Sequence, residues 1–111
     1  MSVTITVSKK VAQHLDGLSF GQIGDVNQKL RILLEAEYRR RLTHYNLANR
    51  QLTQKYDVSF DEFERQQLTK QHNYTWDVES DAIAWETAVD GIHTMQRQLI
   101  KLSAEEQNND N

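Results

Sequence analysis

The chain of 111 residues contains no cysteine, no proline and only four glycines. Without cysteine it has no disulfide framework, no thiol nucleophile and no thiolate metal site. Without proline nothing forces a helix to kink, so breaks must come from glycine and from capping residues. Apolar residues are scarce as well, at 38% of the chain, and the mean hydropathy is -0.75. A chain this short and polar builds only a modest core, so part of its stability is expected to come from a partner. No apolar run approaches the ~20 residues that span a bilayer, and the N-terminus shows no basic-then-apolar export signal. The expectation is a soluble, cytoplasmic protein with no membrane contact.

The net charge of -3 conceals an uneven distribution. Residues 1–56 carry nine Lys or Arg against four acids, giving +5, whereas residues 57–111 carry four against twelve, giving -8. Such asymmetry suggests two surfaces with partners of opposite character. A basic half suits a polyanion such as DNA, and an acidic half suits a basic protein.

Ser2-Val3-Thr4-Ile5-Thr6-Val7 alternates polar and apolar residues that favour strands. A lone strand cannot satisfy its backbone, and no second clean strand follows. The expected mate is the same strand of a second subunit, paired as a ribbon. Ser8 is placed to cap a short helix through Leu18, with Val11, Leu15 and Leu18 on one face. Gly17, Gly21 and Gly24 mark a turn. Asp25 then caps a long helix that meets no breaker before Asp57, with Leu30, Leu34, Tyr38, Leu42, Tyr45, Asn49, Leu52 and Tyr56 on one face. At ~1.5 Å per residue it would be ~48 Å long, more than this chain can cover alone, so a second subunit is expected against it.

Ser59 and Glu62 form a capping box, and Val58 with Phe63 a hydrophobic staple, which predicts a helix to about Lys70. Asn73–Val78 reads as a short extended stretch. Asp77 is placed to cap a last helix to about Leu102, with Trp85, Val89, Ile92, Gln96, Leu99 and Leu102 on one stripe. The fold class expected is mainly α: an N-terminal strand, a short helix, one long helix and a C-terminal helical arm. Residues 1–56 would be the dimerising and DNA-binding part, 57–102 the acidic partner-binding arm, and 103–111 a disordered tail.

Sites for catalysis are hard to find. There is no glycine-rich phosphate loop, no Gly-x-Ser-x-Gly and no His-Glu-x-x-His. Glu86, Asp90 and His93 share one helix face, but bundle metal sites draw ligands from several helices, and no second Glu-x-x-His exists. No enzyme activity, metal or cofactor is expected. Arg39-Arg40-Arg41 fits a solvated flank paired with Glu35 and Glu37 better than a phosphate contact. Thr4 and Thr6, on the outer face of a ribbon, could meet base edges in a major groove while Lys9 and Lys10 meet phosphates. Trp76 and Trp85 lie close to Glu79, Asp81 and Glu86. Aromatic anchors beside orienting carboxylates are what an interface with a basic protein uses, although two tryptophans also serve a core.

Val3-Thr4-Ile5-Thr6-Val7-Ser8-Lys9-Lys10-Val11 resembles the strand-to-helix entry of ribbon-helix-helix DNA-binding proteins over about residues 1–40. Here the connection around Ser19–Gly24 is longer, and the second helix runs well beyond that family's length. With Ser59-Phe60-Asp61-Glu62-Phe63-Glu64 and Val78-Glu79-Ser80-Asp81-Ala82-Ile83-Ala84-Trp85-Glu86, the whole chain is similar to small bacterial antitoxins of type II toxin–antitoxin modules. That resemblance implies a homodimer whose C-terminal segment blocks a cognate toxin and whose N-terminal part binds operator DNA and represses its own operon. The alternative is a helical dimeric adaptor without DNA-binding activity.

Overall fold

The computed structural model describes residues 2–20 and 24–109. They contain five helices: α1 (Lys9–Gly17), α2 (Val26–Tyr56), α3 (Phe60–Arg65), α4 (Leu68–Gln71) and α5 (Trp76–Asn109). Two compact units divide the chain, Met1–Ala36 and Glu37–Asn111. The boundary falls inside α2 rather than at residue 56, so residues 37–56 belong with the acidic half.

The expected N-terminal strand is absent. Residues 2–8 form neither strand nor helix, and the described residues include no β-strand. Alternation gives a segment two faces, but a strand exists only through ladder hydrogen bonds to a neighbour. None of the described residues supplies such a neighbour for residues 3–7. The described residues are mainly helical, which corrects the strand-then-helix reading and with it the two-stranded ribbon.

In the first unit Ser8 caps α1 as its position predicts, its Oγ accepting from the Val11 N–H at 3.2 Å. The other end of α1 is closed by a residue from α2. Lys29 is only 6% exposed, and its Nζ donates to the carbonyls of Leu15 (3.2 Å) and Asp16 (3.3 Å). A buried ammonium is tolerated there because the last carbonyls of a helix lack partners and carry its negative pole. Asp25 Oδ1 accepts from the Asn27 N–H at 2.8 Å, and the Asp25 carbonyl accepts from the Lys29 N–H at 3.0 Å, which starts α2 where the sequence places it. Gly21 of the expected glycine turn lies outside the described residues.

In the second unit α5 runs antiparallel to α2. Tyr56 meets Asp81, Asn49 meets Trp85, and Tyr45 lies against Gly91. The face of α2 running from Tyr38 through Leu42, Tyr45, Asn49 and Leu52 to Tyr56 is half-buried, so this part of the long helix finds cover within its own chain. On α5 the buried residues are Val78, Trp85, Ala88 and Met95. Val78 and Trp85 stand seven residues apart, as do Ala88 and Met95, the repeat of paired helices. Met95 takes the place on the stripe expected for Gln96, which is exposed. Phe63, Val78 and Trp85 form the core, flanked by Leu52, Tyr56, Val58, Phe60, Leu68, Ala82 and Val89.

Ser59 Oγ accepts from the Glu62 N–H at 3.2 Å, and Val58 packs on the core beside Phe63. The returning arm of the capping box is not made, because the Glu62 carboxylate takes Arg65 and Gln66 instead. The helix expected to Lys70 breaks at Gln67, whose φ of 53° is left-handed. Asn73 and Tyr74 are left-handed too, at φ 57° and 54°. That stretch is a turn rather than extended, and α5 begins at Trp76, one residue before the expected cap Asp77. The helix continues to Asn109, so most of the tail expected to be disordered is helical. Residues 110 and 111 lie outside the described residues.

Candidate functional site

The first unit presents an open apolar groove of about 650 Å³. It is lined by Val3, Ile5 and Val7, by Val11, Leu15 and Leu18 of α1, and by Val26, Leu30 and Leu33 of α2, with His14 and Asn27 the polar members. Val3 is 78% exposed and Ile5 73%. Alternation in residues 3–7 and helical spacing in α1 and α2 did assemble one apolar face. Among the described residues of this unit none closes it, and α1 has no buried residue.

Thr4, Thr6, Lys9 and Lys10 are all exposed. Lys9 and Lys10 occupy the first turn of α1, which holds no acid. Cations at a helix N-terminus oppose the helix dipole, so local helix stability does not explain them. Without a ribbon, none of the described residues of the unit aligns Thr4 and Thr6 for base reading. The arginine run behaves as a solvated flank. Arg40 holds Glu37 through two hydrogen bonds of 2.8 and 2.7 Å, and Arg41 reaches the same carboxylate at 2.9 Å. The hydrogen bonds from Arg40 and then Arg41 pull the Glu37 carboxyl down to about 2.

The acidic, aromatic segment is divided between interior and surface. Trp85 is 0% exposed, and its indole N–H donates to Asn49 Oδ1 at 2.7 Å. Its ring packs against Tyr56, Phe60 and Phe63 at centroid distances of 5.8, 5.5 and 5.0 Å. It has no surface to offer a partner. Asp81 is turned inward as well, accepting from Lys55 Nζ and Tyr56 Oη, each at 2.6 Å. Burial pushes the Asp81 carboxyl up, but these two hydrogen bonds outweigh it and hold it below its ordinary 3.8. The Tyr56 phenol is pushed up to about 12, first by burial and then by its bond to Asp81. Trp76 is the reverse case at 79% exposed, near Tyr74 at 57% and the exposed Glu79. Of the residues singled out from sequence, the fold therefore leaves Trp76, Glu79 and Glu86 on the surface, takes Trp85 inside and holds Asp81 half-buried between α2 and α5.

Glu86 belongs to a feature the sequence did not reveal. A groove of about 300 Å³ opens beside α3, α4 and α5, lined by Phe60, Phe63, Glu64, Gln67, Leu68, Thr69, Ala82, Ile83 and Glu86. Ile83 is 66% exposed there. The sequence carries one signal for it, since Ile83 is a large aliphatic residue off the α5 stripe. Among the described residues no group of three or more His, Asp or Glu is arranged to hold a metal ion, and no helix is long and apolar enough to cross a membrane. Comparison with protein-family models, with curated proteins and with solved structures found no match.

Proposed function

We propose that this chain is a non-catalytic, antitoxin-type binding protein, a homodimer joined through its N-terminal unit that neutralises a basic protein through the acidic face of its C-terminal unit. The open apolar groove of the first unit carries the reading. Side chains as large as Val3, Ile5, Leu30 and Leu33 stay wet in a single chain, and contiguous apolar surface of this kind marks an interaction site. A second copy is the natural occupant, because a two-fold axis sets one apolar face against its own twin. The contact invoked is between helical faces. Exposed Trp76 and Tyr74 near Glu79 support the partner-binding half.

The adaptor reading differs in having no role at DNA. It is favoured by the lack of a strand to carry Thr4 and Thr6, while exposed Lys9 and Lys10 favour phosphate contact. Sedimentation at micromolar concentration tests the common core. A dimer is expected, converted to monomer by Leu30→Glu with Leu33→Glu, and a wild-type monomer overturns the proposal. Co-expression with the product of the adjacent gene tests the antitoxin role. Restored growth is expected, and continued toxicity leaves the adaptor. Retardation of promoter DNA at low salt, lost with both lysines neutralised, separates repressor from adaptor.

A further inference from the structure

We infer that the groove beside α3, α4 and α5 is a docking site for an amphipathic, cationic helix of a partner protein, which places one large aliphatic side chain on Ile83 and Leu68 and a lysine or arginine on each rim. The inference rests on the proposal that the C-terminal unit binds a basic protein, and it names where.

The groove has an apolar floor in Phe60 and Phe63 and an exposed aliphatic side chain in Ile83. Its volume of about 300 Å³ is large enough for one or two side chains. Glu64 and Glu86 are the acids among its lining residues, both exposed, and neither carboxylate has an ion-pair partner among the described residues. The unit does pair acids elsewhere: Glu37 with Arg40 and Arg41, Asp81 with Lys55, and Glu62 with Arg65. Two acids left open beside an apolar groove are complementary to a helix that flanks a leucine with cations. The arginine run of a second copy fits poorly, because Arg40 and Arg41 are held by their own Glu37. The left-handed Gln67 shapes the groove. By ending α3 and restarting the chain as α4, it lets Leu68 pack on the core while Gln67 and Thr69 line the opening.

The probe is a soluble helical peptide of leucine and lysine with all leucines on one face, titrated into the full-length chain by calorimetry and by amide NMR. Controls replace its lysines with glutamate or its leucines with serine. Binding by the leucine–lysine peptide alone is expected, with shifts at Leu68, Ile83 and Glu86 and weaker affinity at higher salt. Ile83→Ser, and separately Glu64→Lys with Glu86→Lys, should each weaken binding about tenfold or more. These side chains are exposed, so the variants should keep the wild-type circular dichroism. Equal binding of the glutamate peptide, unchanged affinity in both variants, or shifts confined to Val3–Leu33 would overturn the assignment. If the peptide fails here while the adjacent-gene product is still neutralised, the groove assignment falls and the proposed function stands. A monomeric wild type with intact peptide binding fails the function and spares the groove.

Discussion

Asp81 accepts one hydrogen bond from an ammonium and one from a phenol, and so ties the end of α2 to the start of α5. Two partners of different acidity give the unit two pH edges. The folded protein holds the Asp81 carboxyl below 3.8. Its contribution is complete above that value and is lost as pH falls through the depressed folded value. The Tyr56 phenol is raised from 10.0 to about 12, so its contribution is complete below 10.0 and is lost as pH rises towards 12. Urea-unfolding midpoints measured across pH should fall at both ends. Asp81→Asn should flatten the acid limb and soften the alkaline one, whose first cause is burial of the phenol. Tyr56→Phe should remove the alkaline limb, together with the late phenolate absorbance, and should weaken the acid limb, since Lys55 is then the one remaining donor to Asp81. Glu37 and Glu62 are also lowered, but both are half-buried surface groups paired with well-exposed arginines and should add little. An unchanged acid limb in Asp81→Asn would show that the tie contributes nothing. None of this was legible from residue type. Asp81 reads in the sequence as one of several carboxylates free to steer a partner, and only its position opposite Tyr56 turns it inward.

At the scale of elements, the close approach of α2 and α5 centres on Gly91. A β-carbon built there would stand 2.5 Å from two atoms of the Tyr45 ring. Helix propensity favours Gly91→Ala by about 1 kcal/mol. Overpacking against a half-buried ring costs about 1–3 kcal/mol, so the clash should win and the variant should unfold at lower urea. Adding Tyr45→Ala should return the propensity gain, giving a double mutant more stable than Tyr45→Ala alone. If Gly91→Ala is stabilising by itself, the ring moves aside freely and the contact does not set the spacing. The two faces that meet here were written in the sequence: Tyr45, Asn49 and Tyr56 share one stripe, and Trp85 with Val89 another. What periodicity does not encode is which stripe meets which. An apolar stripe has the same form whether its cover comes from the same chain or from a second copy, and for that reason the sequence assigned α2 to another subunit. Ser2–Val7 failed similarly, since alternation is local and strand pairing is not.

Across the whole molecule, the charge of the sequence divides at Tyr56, whereas the compact units divide at Ala36, with four Lys or Arg against three acids in the first unit and nine against thirteen in the second. Charge describes surfaces, whereas the boundary follows packing, and α2 serves both units. Each unit holds a buried side chain with a distinct chemical signature: Lys29 in the first and Trp85 in the second. Trp85 emission reports the second unit, with the exposed Trp76 as a quenchable background that Trp76→Phe removes. Lys29 acts as a clock for the first. Under native conditions an amine-acylating reagent should modify the exposed Lys9 and Lys10 quickly and Lys29 only when α1 lets go of it. Mass spectrometry of labelling against time would then give the opening rate of the N-terminal unit at one residue. The proposed dimer should slow that clock as protein concentration rises, because it would close the apolar groove and hold α1 in place. A rate at Lys29 equal to that at Lys9 would mean the ammonium is not sequestered at all. Once acylated, Lys29 could no longer return as a cation to the end of α1, so every opening event would be recorded permanently in the mass of the chain.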